Sequence, residues 1–276
     1  MNQLFCRTRE RDHISRILAS GRNAVTITPP QGGATTLLEA VCASFPEDSI
    51  LIRADSGQDS PEEVAEDIAD AVMGVTFPGR CWRTVQRMCR GLSFTLTHDA
   101  LPGARCEIAF RGTGGWQDAF LLPARLGREM KRPVIVAWDG FGRFCMDSSL
   151  TTTLRPAVSV PGACWLFAGS RQWAMEEAFL FPAAPMGGVA VPVMPDTFTR
   201  DMVARYLEAV WRQEGYVAGE HVSDTVYSCT GGHPGTLSLL LSVCRPSPSG
   251  VLTALFCQQG VGLPYESMCT SIPCIL

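Results

Sequence analysis

The chain contains 276 residues, of which 46% are hydrophobic and 18% are charged, and its formal net charge is −4. These values are typical of a globular protein that is long enough for one large domain, or for a domain with an appendage. The negative net charge argues against a globally basic protein that binds nucleic acid with its whole surface, although it leaves room for a local basic patch.

The twelve cysteines lack the spacing of a metal or redox motif, because no two of them form a Cys-x-x-Cys pair. The segment from Met1 to Asp12 carries arginines and acidic residues where a signal peptide would need an apolar core. No apolar run approaches the length of a membrane span. We therefore expect a soluble cytoplasmic protein with free thiols and no membrane partner.

A short helix, a buried strand and a glycine-containing loop come first in the chain. Residues 9–18 have the spacing of an amphipathic helix, and the apolar, β-branched run from Ala24 to Thr28 predicts a strand. Prolines and glycines then break the pattern, and helical spacing resumes at Thr35. A strand, a glycine loop and a helix in this order are the context of a phosphate-binding loop. The backbone N–H groups of such a loop, and the positive end of the helix dipole behind them, favour an anion.

The loop matches the phosphate-binding template only in part. The template has a glycine, four free positions and then Gly-Lys-Ser/Thr, and it aligns with residues 28–35. The second glycine, Gly33, and the hydroxyl residue, Thr35, are present. Thr28 stands in place of the first glycine, and Ala34 stands in place of the lysine.

The next elements are a strand, a helix, a hairpin and a second helix. Residues 49–54 predict a buried strand, and Ser60-Pro61-Glu62-Glu63 is a typical helix start. The alternating stretches 93–98 and 105–111 predict a hairpin. Residues 116–131 predict a helix that Pro123 kinks or interrupts.

A stripe of four arginines precedes the hairpin. Their spacings of 3, 4 and 3 residues would place them on one face of a helix, opposite an apolar face. Such a stripe predicts contacts with nucleic-acid phosphates or with an acidic partner, and a solvated surface face is the alternative. The four residues are Arg80, Arg83, Arg87 and Arg90.

Two later strands end in polar residues. The run from Pro133 to Asp139 is apolar up to its final aspartate, and a buried parallel strand would present that carboxylate at its C-terminal end. Beside a phosphate loop, such a carboxylate holds Mg²⁺ in P-loop enzymes; the alternative is an aspartate that caps the next turn. Residues 164–168 predict another buried strand, after which Ser170 would either face the outer phosphate or belong to a plain turn.

The C-terminal part of the chain is predicted to be helical. Helices are expected from Thr199 to about Gly215, at 221–229 and at 235–244, with the turn Thr230-Gly-Gly-His-Pro234 before the third. A last short helix is expected near residues 251–258.

The order of these motifs resembles that of the archaeal-type ATPases, in the AAA+/STAND branch of P-loop NTPases, over roughly residues 5–245. The resemblance implies that Arg9 helps to frame a nucleotide pocket, although Thr8 stands where the family has glycine. It implies Thr35 and Asp139 as the residues that hold Mg²⁺, Ser170 as the sensor, and Pro234 near the base of the nucleotide. The loop positions that would bind ATP are Pro30, Gln31, Gly32, Gly33, Ala34, Thr35 and Thr36.

Three charged groups of that family are missing. Ala34 replaces the phosphate-loop lysine, Gly140 replaces the catalytic glutamate, and Gly187-Gly188 replaces a Gly-Arg pair. In the family these groups neutralise phosphate charge, polarise the attacking water and stabilise the transition state. Ala34 alone is also typical of an engineered trap, whereas Thr28, Gly140 and Gly188 indicate natural decay of an ATPase site.

The fold class predicted from this pattern is α/β: a three-layer P-loop NTPase core of the ASCE type with a mostly parallel sheet, at residues 1–195, followed by a small helical lid and tail at 196–276. The function predicted is that of an ATP- and Mg²⁺-binding module with impaired hydrolysis, which acts as a switch on a protein partner or on its own assembly. The alternatives are a nucleic-acid-associated regulator that uses the arginine stripe, and an interaction scaffold that has lost nucleotide binding.

Overall fold

The computed structural model describes residues 7–46, 49–53, 60–76, 88–91, 94–98, 106–110, 115–170, 172–213, 220–246 and 252–254. The strands are β1 (Asn23–Ile27), β2 (Ser49–Arg53), β3 (Phe94–His98), β4 (Cys106–Phe110), β5 (Val134–Asp139), β6 (Ala163–Gly169), β7 (Ala190–Val193), β8 (Cys244–Pro246) and β9 (Leu252–Ala254). The helices are α1 (Thr8–Ala19), α2 (Ala34–Cys42), α3 (Pro61–Thr76), α4 (Leu122–Met130), α5 (Ser148–Val158), α6 (Gln172–Phe179), α7 (Arg200–Gln213), α8 (Glu220–Thr230) and α9 (Pro234–Val243).

The main sheet is parallel. In the described part of the chain it has five strands in the order β2-β5-β6-β1-β7. Every residue of β6 is buried, as are the first five residues of β5, so helices cover both faces of these central strands. The predicted three-layer α/β fold with a parallel sheet is therefore confirmed.

Several predicted elements have the bounds that their patterns indicate. Helix α1 buries Ile14, Ile17 and Leu18, the three residues that its spacing selects. Strands β3 and β4 form the predicted hairpin and pair antiparallel. The segment predicted as one helix at 116–131 is divided into a 3-10 helix, Gly115–Leu121, and α4, with Pro123 in the first turn of α4. Proline is tolerated there because the first N–H groups of a helix have no intrahelical acceptor.

One predicted helix is wrong. Residues 252–254, inside the short helix expected near 251–258, form strand β9, which pairs antiparallel with β8. An apolar run of this length has no period that distinguishes helix from strand, so the pairing with β8 decides its conformation. Residues 255–258 lie outside the described residues.

An aromatic cluster fills the core behind the C-terminal end of β5. Trp138 is fully buried. Its ring centroid lies 4.9 Å from that of Phe141, and its ring stacks on that of Phe120 with a centroid distance of 6.1 Å. Phe167 on β6 joins the cluster at 4.7 Å from Phe141. Dense packing of this kind holds side chains in single rotamers, and the strand end next to the cluster is correspondingly rigid.

The chain divides into two compact units. The sheet unit comprises Thr8–Pro29 and Ala34–Pro195. The helical unit comprises Arg7, the loop tip Pro30–Gly33 and the described residues from Asp196 onward. The helical unit has its own core, made by Phe198, Val203, Leu207, Trp211, Val226 and Leu237.

Five cysteines of the described residues carry free thiols. Cys42, Cys89, Cys145, Cys164 and Cys229 are free cysteines. Burial raises the pKa of the Cys164 thiol, which keeps this core sulfur protonated and unreactive. Among the described residues, no helix combines the length and the apolar character that crossing a membrane requires.

Candidate phosphate-binding site

The loop between β1 and α2 has the backbone conformation of an anion-binding turn. The φ angles of Gln31 and Gly33 are 58° and 85°, whereas Gly32 between them lies outside the left-handed region. Alternation of this kind turns successive N–H groups toward one side of the chain. Gln31 is one of two non-glycine residues with positive φ among the described residues. A side chain held in this region costs about 1–2 kcal/mol, which is typical of functional turns.

Thr28, which stands in place of the first glycine of the template, extends the contact of β1 with β6. Its N–H donates to the carbonyl of Gly169 at 3.2 Å, so it continues the contact between β1 and β6 by one residue. The side chain is only 1% exposed, and within the described part of the chain its hydroxyl has no hydrogen-bond partner. A buried hydroxyl without a partner costs about 1–3 kcal/mol.

The two residues predicted to hold magnesium meet in the structure. Thr35, in the first turn of α2, donates its hydroxyl proton to Oδ2 of Asp139 at 2.6 Å. The other carboxylate oxygen, Oδ1, accepts the N–H of Gly140 at 2.9 Å. Both oxygens of Asp139 are therefore oriented by the residues around them, and the adjacent Trp138 anchors the strand end in the core.

The pair fits a magnesium ion that is shared with a phosphate. Mg²⁺ in nucleotide sites keeps several waters and takes one or two protein oxygens together with phosphate oxygens. The exposed Thr35 hydroxyl and the half-buried Asp139 carboxylate are such oxygens. Among the described residues there is no cluster of three or more Cys, His or acidic side chains that would bind a metal without a phosphate.

Ser170 lies at the same edge of the sheet. It follows β6 directly and is exposed in a bend. Because β6 lies between β5 and β1, the end of β6 falls between Asp139 and the start of the loop. The structure thus brings Ser170, Thr28, Thr35 and Asp139 to one edge of the sheet unit.

Two of the three missing charged residues, the glutamate and the arginine, are replaced by glycines that the backbone requires. Gly140 has a φ of 76° and Gly188 a φ of 73°, both in the left-handed region. A β-carbon on Gly187 would lie 2.3 Å from the carbonyl oxygen of Phe181, which no other residue type can accept without displacement. At these positions the backbone therefore disfavours a charged side chain.

Sequence reasoning missed Arg7. Its side chain is 3% exposed, its Nη2 donates to the carbonyl of Gly32 at 3.1 Å, and its guanidinium lies 5.2 Å from the ring centroid of Phe198. Arg9, the arginine that the resemblance selects, is exposed in the first turn of α1. No local pattern distinguishes the two arginines, because the partner of Arg7 is a backbone carbonyl 25 residues away.

The loop tip packs tightly within the helical unit. A β-carbon on Gly235 would lie 2.4 Å from the Cβ of Gln31, so glycine is required for this approach. Pro234 is the first residue of α9, where its lack of an N–H has no cost. His233 caps the same helix, because its Nδ1 accepts the N–H of Thr236 at 3.3 Å.

Most of the arginine stripe lies outside the described residues. Arg80, Arg83 and Arg87 are not described, and Arg90 is exposed in the turn Cys89–Gly91, after the helical residue Met88. Arg125 donates to the carbonyls of Met88 and Arg90 at 2.6 and 2.8 Å and so fixes this turn. Contact of the stripe with nucleic acid stays a prediction.

Together, the parallel sheet, the glycine loop between β1 and α2 and the aspartate at the end of β5 define a P-loop NTPase fold. Solved structures with this fold include the Walker-type ATPase of Pyrococcus abyssi, with a TM-score of 0.60 and 18% identity over 86% of this chain and 66% of that one. The ORC2 protein of Aeropyrum pernix, solved in ADPNP–ADP complexes, has a TM-score of 0.51 and 13% identity over 87% of this chain and 62% of that one. A STAND protein with a tetratricopeptide repeat sensor, from Pyrococcus horikoshii, has a TM-score of 0.50 and 14% identity over 89% of this chain and 31% of that one.

The expected resemblance to archaeal-type ATPases of the AAA+/STAND branch is thus confirmed at the level of the fold. This chain spans less than two thirds of the length of each of these three structures. No protein-family model and no curated protein matches the sequence.

Proposed function

We propose that this chain is a nucleotide-binding module of the AAA+/STAND type that binds ATP with Mg²⁺ and hydrolyses it poorly. The observation that carries the proposal is the hydrogen bond between Thr35 and Asp139, 2.6 Å long and adjacent to a loop with alternating backbone φ. At this position a hydroxyl and a carboxylate are suited to bind a cation that also contacts a phosphate.

Each residue of the site then has a defined task. The N–H groups of loop residues 31–35 would bind the phosphate oxygens, and the N-terminus of α2 adds its positive dipole end. Thr35 and Asp139 would hold the magnesium ion, which neutralises phosphate charge when it is bound. Ser170, exposed next to this edge of the sheet, is suited to hydrogen-bond an outer phosphate oxygen.

Weak hydrolysis follows from the groups that are missing. Without a glutamate at position 140, no side chain directly after Asp139 can polarise an attacking water. Without the lysine and the second arginine, less of the charge that develops in the transition state is stabilised. Removing single groups of this kind typically lowers turnover by about 100- to 10,000-fold.

The output of the site would be a conformational change rather than a chemical product. The tip of the loop packs within the helical unit, whereas both ends of the loop belong to the sheet unit. We expect phosphate binding to order the loop tip, where Gln31 packs closely against Gly235 of the helical unit. A protein partner or a second copy of the chain would respond to this change. This output is in keeping with the name of the Pyrococcus horikoshii protein, a signal transduction ATPase with numerous domains.

Calorimetric titration with ATP, in Mg²⁺ and then in EDTA, tests the proposal. We expect saturable ATP binding that is at least about tenfold tighter in Mg²⁺ than in EDTA. In Thr35→Val we expect this difference in affinity to disappear, because changing a residue at a metal site lowers the affinity for the metal. The matched control is Thr152→Val, an exposed threonine on α5. Absence of binding at millimolar ATP would contradict the proposal and favour an interaction scaffold.

The nucleic-acid alternative has its own test. Fluorescence anisotropy with labelled DNA and RNA at low salt, with and without ATP, would reveal phosphate contacts by the arginine stripe, because such binding weakens steeply as salt rises. A lack of binding under these conditions removes that alternative.

A further inference from the structure

We propose that Arg7 is a positioning residue of the phosphate-binding loop, which fixes the orientation of the peptide between Gly32 and Gly33. This inference rests on the proposed function, because the peptide belongs to the loop that would bind ATP. Arg7, the loop tip Pro30–Gly33 and Phe198 all belong to the helical unit. In this role the guanidinium lies behind the loop and does not contact the nucleotide.

The carbonyl of Gly32 is the point of contact. The Nη2 of Arg7 donates to this carbonyl oxygen at 3.1 Å. The peptide that follows is trans, so the N–H of Gly33 points the opposite way, away from Arg7. The alternating backbone conformations of residues 31–33 turn successive N–H groups toward one side of the loop. Arg7 therefore holds the peptide with its N–H on the side of an anion and its carbonyl oxygen behind the loop.

The two glycines make such a contact necessary, because a peptide between them rotates at low cost. Gly33 has a φ of 85°, and glycine adopts positive and negative φ about equally readily. Rotation of the peptide would turn the carbonyl oxygen of Gly32 toward the anion and the N–H of Gly33 away from it. The loop would then lose one donor to the phosphate and present a partial negative charge in its place.

The surroundings of Arg7 keep the guanidinium at this peptide. Arg7 is only 3% exposed, so water competes little for its hydrogen bond with Gly32. Its Nε lies 3.9 Å from the place that a β-carbon on Gly33 would occupy, so the guanidinium borders both residues of the peptide. The guanidinium also lies 5.2 Å from the ring centroid of Phe198, a distance typical of cation–π contacts.

The ring under Arg7 is itself held by the backbone. The N–H of Phe198 donates to the carbonyl of Gly232 at 2.8 Å. A β-carbon on Gly232 would lie 2.0 Å from the carbonyl oxygen of Phe198, so the two segments approach closely. Arg7 is thus ordered before any nucleotide binds, and little side-chain entropy remains to be lost when the loop receives a phosphate.

ATP titrations in Mg²⁺ test the inference, with affinity measured by calorimetry and the amide proton of Gly33 followed by NMR on chain labelled with ¹⁵N-glycine. In the unchanged chain we expect this proton to shift downfield as ATP saturates, because a hydrogen bond to phosphate deshields it. Arg7→Met should weaken ATP binding by at least about tenfold, the usual effect of losing a hydrogen bond to a charged group, and should abolish most of the shift at saturation. Arg7→Lys keeps one charged donor, so it should retain the shift and bind ATP within about fivefold of the unchanged chain.

The amide readout distinguishes a positioned peptide from a general effect of charge or packing. Weaker ATP binding by Arg7→Met with an unaltered Gly33 shift at saturation would overturn the inference, and so would a loss of affinity smaller than about tenfold. Arg16→Met, which removes an exposed arginine of α1, should leave both readouts unchanged. If the unchanged chain binds no ATP, the proposed function fails and the inference fails with it. If the unchanged chain binds ATP and only the Arg7 variants depart from expectation, the inference alone is overturned.

Thermal melting shows whether Arg7→Met folds. If it does not melt cooperatively, the unchanged chain and Arg7→Lys decide the question. A Gly33 amide proton that shifts on ATP binding in both supports the inference. A proton that does not shift in either one, or a loss of affinity beyond about fivefold in Arg7→Lys, overturns it.

Discussion

The hydroxyl of Thr35 and the carboxylate of Asp139 are hydrogen-bonded at 2.6 Å although 104 residues separate them in the chain. The contact joins the first turn of α2 to the end of β5 and passes the end of β6, the strand that lies between β5 and β1. We propose above that this pair holds a phosphate-bound cation, and the predictions below test that role against a plain cap of the next turn.

The first prediction concerns Asp139→Asn. An amide of the same shape keeps one acceptor oxygen but loses the negative charge, so the affinity for Mg²⁺ in the ATP complex should fall by about 10- to 100-fold. ATP titrations over a range of Mg²⁺ concentrations measure the effect. Asp196→Asn, an exposed aspartate, is the matched control. An unchanged Mg²⁺ dependence would show that Asp139 only caps the next turn.

The second prediction concerns Ala34→Lys. A lysine at the last position before Thr35 would form a charge-assisted contact with bound phosphates, and ATP binding should tighten by at least about tenfold. Ala43→Lys, at an exposed position just after α2, adds the same charge away from the loop and should change the affinity less than about twofold. Equal affinities for Ala34→Lys and the unchanged chain would mean that phosphates do not bind in this loop.

The third prediction concerns Gly140, where the effect of a new side chain on stability can be measured separately from its effect on ATP hydrolysis. At a φ of 76°, Gly140→Glu and Gly140→Ala should each lower the free energy of unfolding by about 1–2 kcal/mol, measured by urea denaturation. In contrast, only Gly140→Glu, combined with Ala34→Lys, should raise ATP hydrolysis above that of each single variant. A double variant that hydrolyses no faster than Ala34→Lys would show that the strained backbone misplaces the carboxylate.

The fourth prediction concerns the close approach of Gly235 to Gln31. In Gly235→Ala the new methyl group would collide with the Cβ of Gln31, displace the loop tip and weaken ATP binding, with an overpacking cost of about 1–3 kcal/mol. Gly231→Ala is the control: Gly231 has a φ of 57°, which strains an alanine, but nothing lies within 4 Å of its added β-carbon. It should lower the free energy of unfolding without changing ATP affinity. Equal ATP affinity in both variants would show that the loop tip does not depend on α9.

Sequence patterns were sufficient for the sheet unit because its signals are local. Fully apolar runs predict buried parallel strands, and the polar residue that ends each run lies at a shared edge, which is why Asp139 and Ser170 could be placed beside the loop. The hairpin of β3 and β4 and the division of the helix at Pro123 also follow from neighbouring residues.

The features that were missed depend on tertiary contacts. Arg7 is defined by its contacts with Gly32 and Phe198, and Gly235 by the proximity of Gln31, none of which leaves a period in the sequence. The same reason explains β9, whose short apolar segment adopts the conformation that pairing with β8 imposes. Likewise, the sequence showed that a glutamate was missing at Gly140 but not that the backbone there is left-handed.

The most direct test of the central claim is a single-turnover experiment with the protein in excess over γ-labelled ATP and Mg²⁺. We expect the chain to retain the label in a saturable manner, and we expect the bound nucleotide to be recovered as intact ATP after many minutes. Thr35→Val should retain much less label, and Thr152→Val should retain as much as the unchanged chain. Release of labelled phosphate at about 1 s⁻¹, within the usual range of enzymes, would contradict the claim of a poorly hydrolysing site, and no retention at any protein concentration would contradict nucleotide binding itself.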